Sequence, residues 1–173
     1  MKKHADALDV TVASEIRPVA AEAEYVASDY SFKYRPRNEM ELRAARSRTG
    51  HWRQTGQNIF VTAGFLTLRF EGAPLVLTSI DGYTNRDKWH QVALDIPSLD
   101  ARGALLLSDR PEDDRVSLPE QPIYEIDEAQ RALRIRLTNE GTPRYFAEIG
   151  TGLIAGLHEG RLLQLIVLNV QNR

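Results

Sequence analysis

Phe65-Leu66-Thr67-Leu68-Arg69-Phe70 and Leu75-Val76-Leu77-Thr78-Ser79-Ile80 flank the loop Glu71-Gly72-Ala73-Pro74. Both flanking runs are rich in Leu, Val, Ile, Phe and Thr, residue types that fit a pleated, half-buried surface. A short Gly/Pro loop between two such runs reverses the chain, so the spacing predicts a β-hairpin. Asp81-Gly82 ends its second strand, and the polar, aromatic loop Tyr83–His90 follows.

Outward from this hairpin the chain continues to read mainly as strand. Residues 8–13 alternate β-branched and polar positions, and residues 92–96 suit a further short strand. Residues 19–27, rich in Ala and Glu, fit helix or strand equally. One helix is expected at 39–48: Asn38 is a good N-cap with Glu41 three residues on, acids precede bases along the segment, and Gly50 stops it. Residues 108–122 hold three prolines and five acids and read as a linker. Beyond them, 123–126 and 132–138 form a second expected hairpin, with Leu133, Ile135 and Leu137 on one face and Arg134, Arg136 and Thr138 on the other. Residues 152–158 and 162–170 form a third, turning at Glu159-Gly160. The last strand is apolar on both faces, so it is either central in a sheet or buried between subunits.

The expected fold class is therefore α+β, mainly antiparallel sheet with one or two short helices. The expected organisation is an N-terminal α+β region over 1–107, a linker over 108–122 and a C-terminal hairpin region over 123–173, the two regions being able to share one sheet. No convincing internal repeat stands out.

The 173 residues carry a formal net charge of −2 and no cysteine. Disulfides, thiolate metal sites and cysteine nucleophiles are excluded, and a reducing cytoplasm is the expected compartment. No apolar run approaches the roughly 18 residues of a membrane-spanning helix. The N-terminus does not read as a signal peptide.

Tyr124, Asp127 and Glu128, the strand Ala132-Leu133-Arg134-Ile135-Arg136-Leu137, Gly152-Leu153-Ile154, Gly160-Arg161 and Ile166-Val167-Leu168-Asn169 together resemble the YuzE-like small domain family. The resemblance covers 123–170, with Arg134 at an aromatic position and Gly156 and His158 at acidic ones. It implies a fold for that third of the chain and no activity.

Signals for chemistry are sparse. His4, His51, His90 and His158 have no metal-ligand spacing, and no metal or cofactor is expected. Ser79, Asp81 and His90 contain the groups of a hydrolytic triad, but Ser79 beside Asp81-Gly82 reads better as a strand end and turn. Gly150-Thr151-Gly152-Leu153-Ile154-Ala155-Gly156 misses the dinucleotide spacing, and relief of crowding in a bent strand accounts better for its glycines. Asp113-Asp114 and Asp127-Glu128 read as solvated loop acids.

The distinctive feature is the segment 31–53, where Lys33, Arg35, Arg37, Arg43, Arg46, Arg48 and Arg53 face only Glu39 and Glu41, with aromatics interleaved. It fits a solvated helix, a protein interface or a nucleic-acid grip. In the loop 83–90, Trp89 is either a recognition tip or a core plug. The candidate binding surface comprises Arg35, Arg37, Arg43, Arg46, Trp52, Arg53, Tyr83, Asn85, Arg86, Trp89 and His90. The expected function is a non-enzymatic protein-binding module, self-associating as a homo-oligomer. The alternatives are a weak nucleic-acid binder through 31–53, and a small-molecule binder or enzyme whose site is dispersed in sequence. No catalytic residue is assigned and no membrane partner is expected.

Overall fold

The structure, a computed structural model, describes residues 7–36 and 50–173. Period-two alternation governs it from the first strand, where Leu8 and Val10 are buried while Asp9 and Thr11 are exposed. Among the described residues the strands are β1 (Leu8–Ala13), β2 (Ala21–Val26), β3 (Ser31–Pro36), β4 (Arg53–Ala63), β5 (Leu66–Ala73), β6 (Val76–Tyr83), β7 (His90–Gln91), β8 (Ala101–Arg102), β9 (Ala104–Leu107), β10 (Arg115–Ser117), β11 (Ile123–Asp127), β12 (Ala132–Arg136), β13 (Tyr145–Gly150), β14 (Leu153–His158), β15 (Arg161–Val167) and β16 (Gln171–Asn172).

This corrects the expected α+β class: the described residues are nearly all β. Among the described residues the one helical element is a single 3-10 turn, Arg86–Lys88. The helix expected at 39–48 lies outside the described residues. The segment 31–36, distinctive in sequence for its cations and interleaved aromatics, is a strand because Phe32 and Tyr34 alternate inward. The sheet is mixed: most of its pairings are antiparallel, but β4–β10, β2–β16, β7–β11 and β8–β13 pair in parallel. Hairpin signals detect only antiparallel neighbours that are close in sequence, so these edges left no trace. The strand expected at 92–96 is instead an extended loop, tied down by Val92 N–H on the Ile126 carbonyl (3.0 Å) and Leu94 N–H on the Asp127 carboxylate (2.9 Å).

One motif is built twice. In the first half, the hairpin β2–β3 is followed by the meander β4–β5–β6, and β3 pairs with β6. In the second, the hairpin β11–β12 is followed by the meander β13–β14–β15, and β12 pairs with β15. The two hairpins match position by position. Glu24 faces Lys33 as Glu125 faces Arg134, Tyr25 faces Phe32 as Ile126 faces Leu133, and the turns between them are of equal length. Each turn ends in a residue of positive φ, Tyr30 at 57° and Arg131 at 51°. A register shift falls at the same place in both meanders, between Arg69 and Phe70 and between Gly156 and Leu157.

The halves exchange their first strands. Leu8 and Asp9 of β1 pair with β15, while β9 reaches back to β6 through Leu106 and Val76. β1 and β9 pair with each other, Val10 opposite Leu107. Val10 N–H donates to the Gly160 carbonyl (2.8 Å), and Leu107 N–H donates to the Leu75 carbonyl (3.1 Å). The Val10–Leu107 pair and these two hydrogen bonds map onto themselves when the halves are swapped, as a local two-fold axis through Val10 and Leu107 would require.

Inward side chains of both halves merge into a single cluster that includes Phe32, Phe70, Ile80, Leu133, Ile135 and Leu165. The Tyr34 hydroxyl crosses between the halves to donate to the Thr151 carbonyl (2.9 Å). The two-faced strand β15 is internal. It carries β14 along one edge and β1 followed by β12 along the other, which removes the observation that had motivated a homo-oligomer. Within 108–122, β10 pairs with β4 and Leu118 is buried.

Candidate binding cleft

The expected binding surface does not form one patch. Arg35 lies one residue past the Tyr34–Ile80 pair and is bonded to Asp81, while Arg53 stands at one end of the first half. Tyr83, Asn85, Arg86, Trp89 and His90 stand at the other. Arg53 pairs with Ala73 at the far end of the eight-residue β5, and at about 3.3 Å per residue that is roughly 25 Å from Phe65. Arg35 donates to the Asp81 carboxylate through Nε (3.0 Å) and Nη2 (2.7 Å). Arg37, Arg43 and Arg46 lie outside the described residues. Two members of the expected surface are interior. Trp52 is 1% exposed, with its indole N–H on the Glu71 carbonyl (3.0 Å), and Trp89 is 6% exposed. A large apolar ring beside a strand gains more from burial than from display.

Trp89 organises the aromatic end. Its ring stacks on Tyr124 with centroids 5.8 Å apart and planes 14° from parallel. Tyr25 packs against it at 4.9 Å, tilted by 57°. Its indole N–H donates to Thr84 Oγ1 (2.9 Å). The Tyr25 hydroxyl fixes the loop twice, donating to the Thr84 carbonyl (2.9 Å) and accepting from Arg86 N–H (3.0 Å). Asn85 caps the 3-10 turn by accepting from Asp87 N–H (2.9 Å). Arg86 is spent on structure. It holds both Glu128 carboxylate oxygens at 2.6 Å, bonds Asn172, and lies 5.8 Å from the Trp89 ring centroid. This arginine draws the Glu128 carboxyl below its ordinary value, and burial pushes the Tyr124 phenol up.

Over this floor opens a cleft of about 390 Å³. Its rim is a cross-strand pair of rings, with Phe65 77% and Tyr83 67% exposed and Tyr83 N–H on the Phe65 carbonyl (3.3 Å). Asn85, Lys88, His90 and Gln121 supply polar lining, and among the described residues no carboxylate lines the cleft. Phe65, Thr84, Gln121 and Tyr124 were missed by sequence reasoning. Phe65 left a usable signal: in Ala63-Gly64-Phe65-Leu66 a large ring occupies a tight hairpin tip, where Gly and Asn are the usual residues.

The exchange of halves carries this cleft onto a second one of about 290 Å³, lined by Glu22, Glu24, Thr151, Gly152, Leu168, Asn169, Gln171 and Arg173. Here Leu168 N–H meets the Gly152 carbonyl (2.7 Å), the position of Tyr83 on Phe65, and Glu24 is ion-paired with Arg173 (3.3 Å).

The other expected constellations do not assemble. Asp81 is held by Arg35, and His90 lies on β7, against β11 in the other half. Gly150 and Gly156 relieve crowding: a Cβ on the first would meet Tyr34 Oη at 2.3 Å, and on the second Gln164 Cγ at 2.7 Å. Among the described residues no group of three His, Asp or Glu side chains is placed to hold a metal, and no helix is long and apolar enough to cross a membrane. No protein-family model matches the chain, and no curated protein matches it.

Proposed function

We propose that this chain is a non-enzymatic binding module that takes its ligand in the aromatic cleft. The observation that carries the reading is the pair of exposed rings, Phe65 and Tyr83, set over a floor already locked by hydrogen bonds. Exposed rings over a concave, partly apolar surface mark a contact site. Because Trp89, Thr84 and Asn85 are held before any ligand arrives, little ordering entropy remains to be lost on binding. The arginine-rich segment plays a lesser part in this reading, because the outward cations of β3 repeat those of β12. Lys33 and Arg35 occupy the positions of Arg134 and Arg136, both ion-paired to Glu125.

Soaking crystals of the full chain in small organic probes such as phenol and isopropanol tests the site. The probes are expected to cluster between Tyr83 and Tyr124. Clustering at other surfaces, or no clustering, would refute the reading.

A further inference from the structure

We infer that the ligand of the aromatic cleft is a neutral carbohydrate, bound with one pyranose face on Tyr83 and Phe65. The inference rests on the binding-module reading and adds the class of ligand. Three features of the lining carry it.

The first is shape and exposure. The two rim rings stand open to water instead of closing a slot. A wholly apolar ligand would gain most from an enclosed pocket. A pyranose has one face of C–H groups and an edge of hydroxyls, so it can cover a ring while its edge stays hydrated or hydrogen-bonded. The volume of about 390 Å³ lies within the roughly 300–1,000 Å³ of small-ligand clefts.

The second is the polar complement. Gln121 carries an amide and His90 an imidazole, each of which both donates and accepts, and Asn85, whose carbonyl accepts from Asp87 N–H, keeps its amide N–H groups to donate. Vicinal hydroxyls both donate and accept, so they can be matched without leaving an unpaired group. A polyproline peptide presents mainly carbonyl acceptors and is gripped by donors such as an indole N–H. Here the Trp89 N–H is already committed to Thr84 Oγ1.

The third is charge. Among the described residues Lys88 is the one constitutive cation in the lining, and no acid is present. Nucleic acid draws its affinity from several phosphate contacts, which this cleft does not supply. A neutral polyol needs none.

The test is an NMR titration of the isotopically labelled full chain, following the Trp89 indole N–H and the His90 and Tyr83 amides. The probes are gluco-, manno-, galacto- and N-acetylgluco-oligosaccharides, with a proline-rich peptide and a single-stranded DNA oligomer as competing classes. At least one saccharide is expected to shift these resonances, with an affinity on the order of millimolar for a single ring. Tyr83→Ala and Phe65→Ala, both at exposed sites, are each expected to weaken it about tenfold, while Arg173→Ala in the second cleft leaves it unchanged. If the peptide or the DNA shifts these resonances and no saccharide does, the ligand class is wrong and the cleft survives as a site. If no probe perturbs the cleft, or if a saccharide binds with Tyr83→Ala indifferent to it, the inference is overturned. Failure of the organic-probe soak as well would remove the site itself.

Discussion

Phe65 and Tyr83 in the first half stand where Gly152 and Leu168 stand in the second, on equivalent backbone hydrogen bonds of 3.3 and 2.7 Å. The linker from the last meander strand to the parallel edge strand differs too. In the first half it runs from Tyr83 to His90 and folds Trp89 into the core; in the second only Asn169 and Val170 separate Leu168 from Gln171. The shared register fixes a cleft at both ends. Among the described residues, the side chains added to it then make one cleft aromatic and free of acids, and the other polar and charged. Fold and site are thus specified by different residues. The inward alternating positions set the pairing, and the hairpin tips and linkers set the surface chemistry.

The largest test of this comparison is at equivalent core positions. Phe32 and Leu133 are both 0% exposed. Phe32→Ala is expected to cost about 3–5 kcal/mol and Leu133→Ala about 2–5 kcal/mol in urea unfolding. Because β1 and β9 are exchanged between the halves, each variant should shift one shared transition. Two separate transitions, of which each variant moves only its own, would show that the halves are independent.

A smaller effect distinguishes the halves at one turn. Ala63 faces Leu66 as Gly150 faces Leu153, yet only Gly150 has Tyr34 Oη and Val19 Cγ1 where a Cβ would go, at 2.3 and 2.8 Å. Gly150→Ala should destabilise by about 1–3 kcal/mol through overpacking. Ala63→Gly should lose only about 0.5–1 kcal/mol. Equal costs, read from thermal melts, would contradict the packing described at Tyr34.

These tests also mark what could be read in the sequence. The hairpins at 65–80, 123–138 and 152–170 were legible because both partners are close in the chain and a turn announces them. The duplication was not, although Glu24, Phe32, Lys33, Tyr34 and Arg35 sit in register with Glu125, Leu133, Arg134, Ile135 and Arg136. Those pairs keep chemical class more often than identity, and a core needs volume and polarity rather than particular residues. The strand character of 31–36 was hidden behind its charges. Lys33 and Arg35 mark the segment as basic, and its interleaved Phe32 and Tyr34 fit a binding surface, but those two rings turn inward and decide the structure. Of the cleft, Tyr83, Asn85 and His90 were legible as an aromatic loop. Tyr124 and Gln121 come from a distant segment, and no spacing rule connects them.

Arg86 tests the long linker. Arg86→Ala removes the clamp on Glu128 and Asn172. Both ionic partners are partly exposed, so about 1 kcal/mol is expected at neutral pH. Arg86 holds the Glu128 carboxyl below its ordinary 4.5. The stabilisation is therefore complete above that value and is lost as pH falls through the lower folded value. Denaturation of both proteins across this range should show the gap closing in acid; a gap that widened there would refute the assignment. The smallest effect belongs to the rim, where Tyr83→Ala and Phe65→Ala should change stability by less than about 0.5 kcal/mol. A larger loss would make these rings structural rather than displayed.

The most direct test is a crystal structure of the full chain soaked with whichever saccharide most perturbs the Trp89 indole. The account predicts density for a sugar ring lying flat on Tyr83 and Phe65, and none against Gly152 and Leu168. A sugar seated in the cleft of Glu22 and Arg173, or along Arg35, would contradict it.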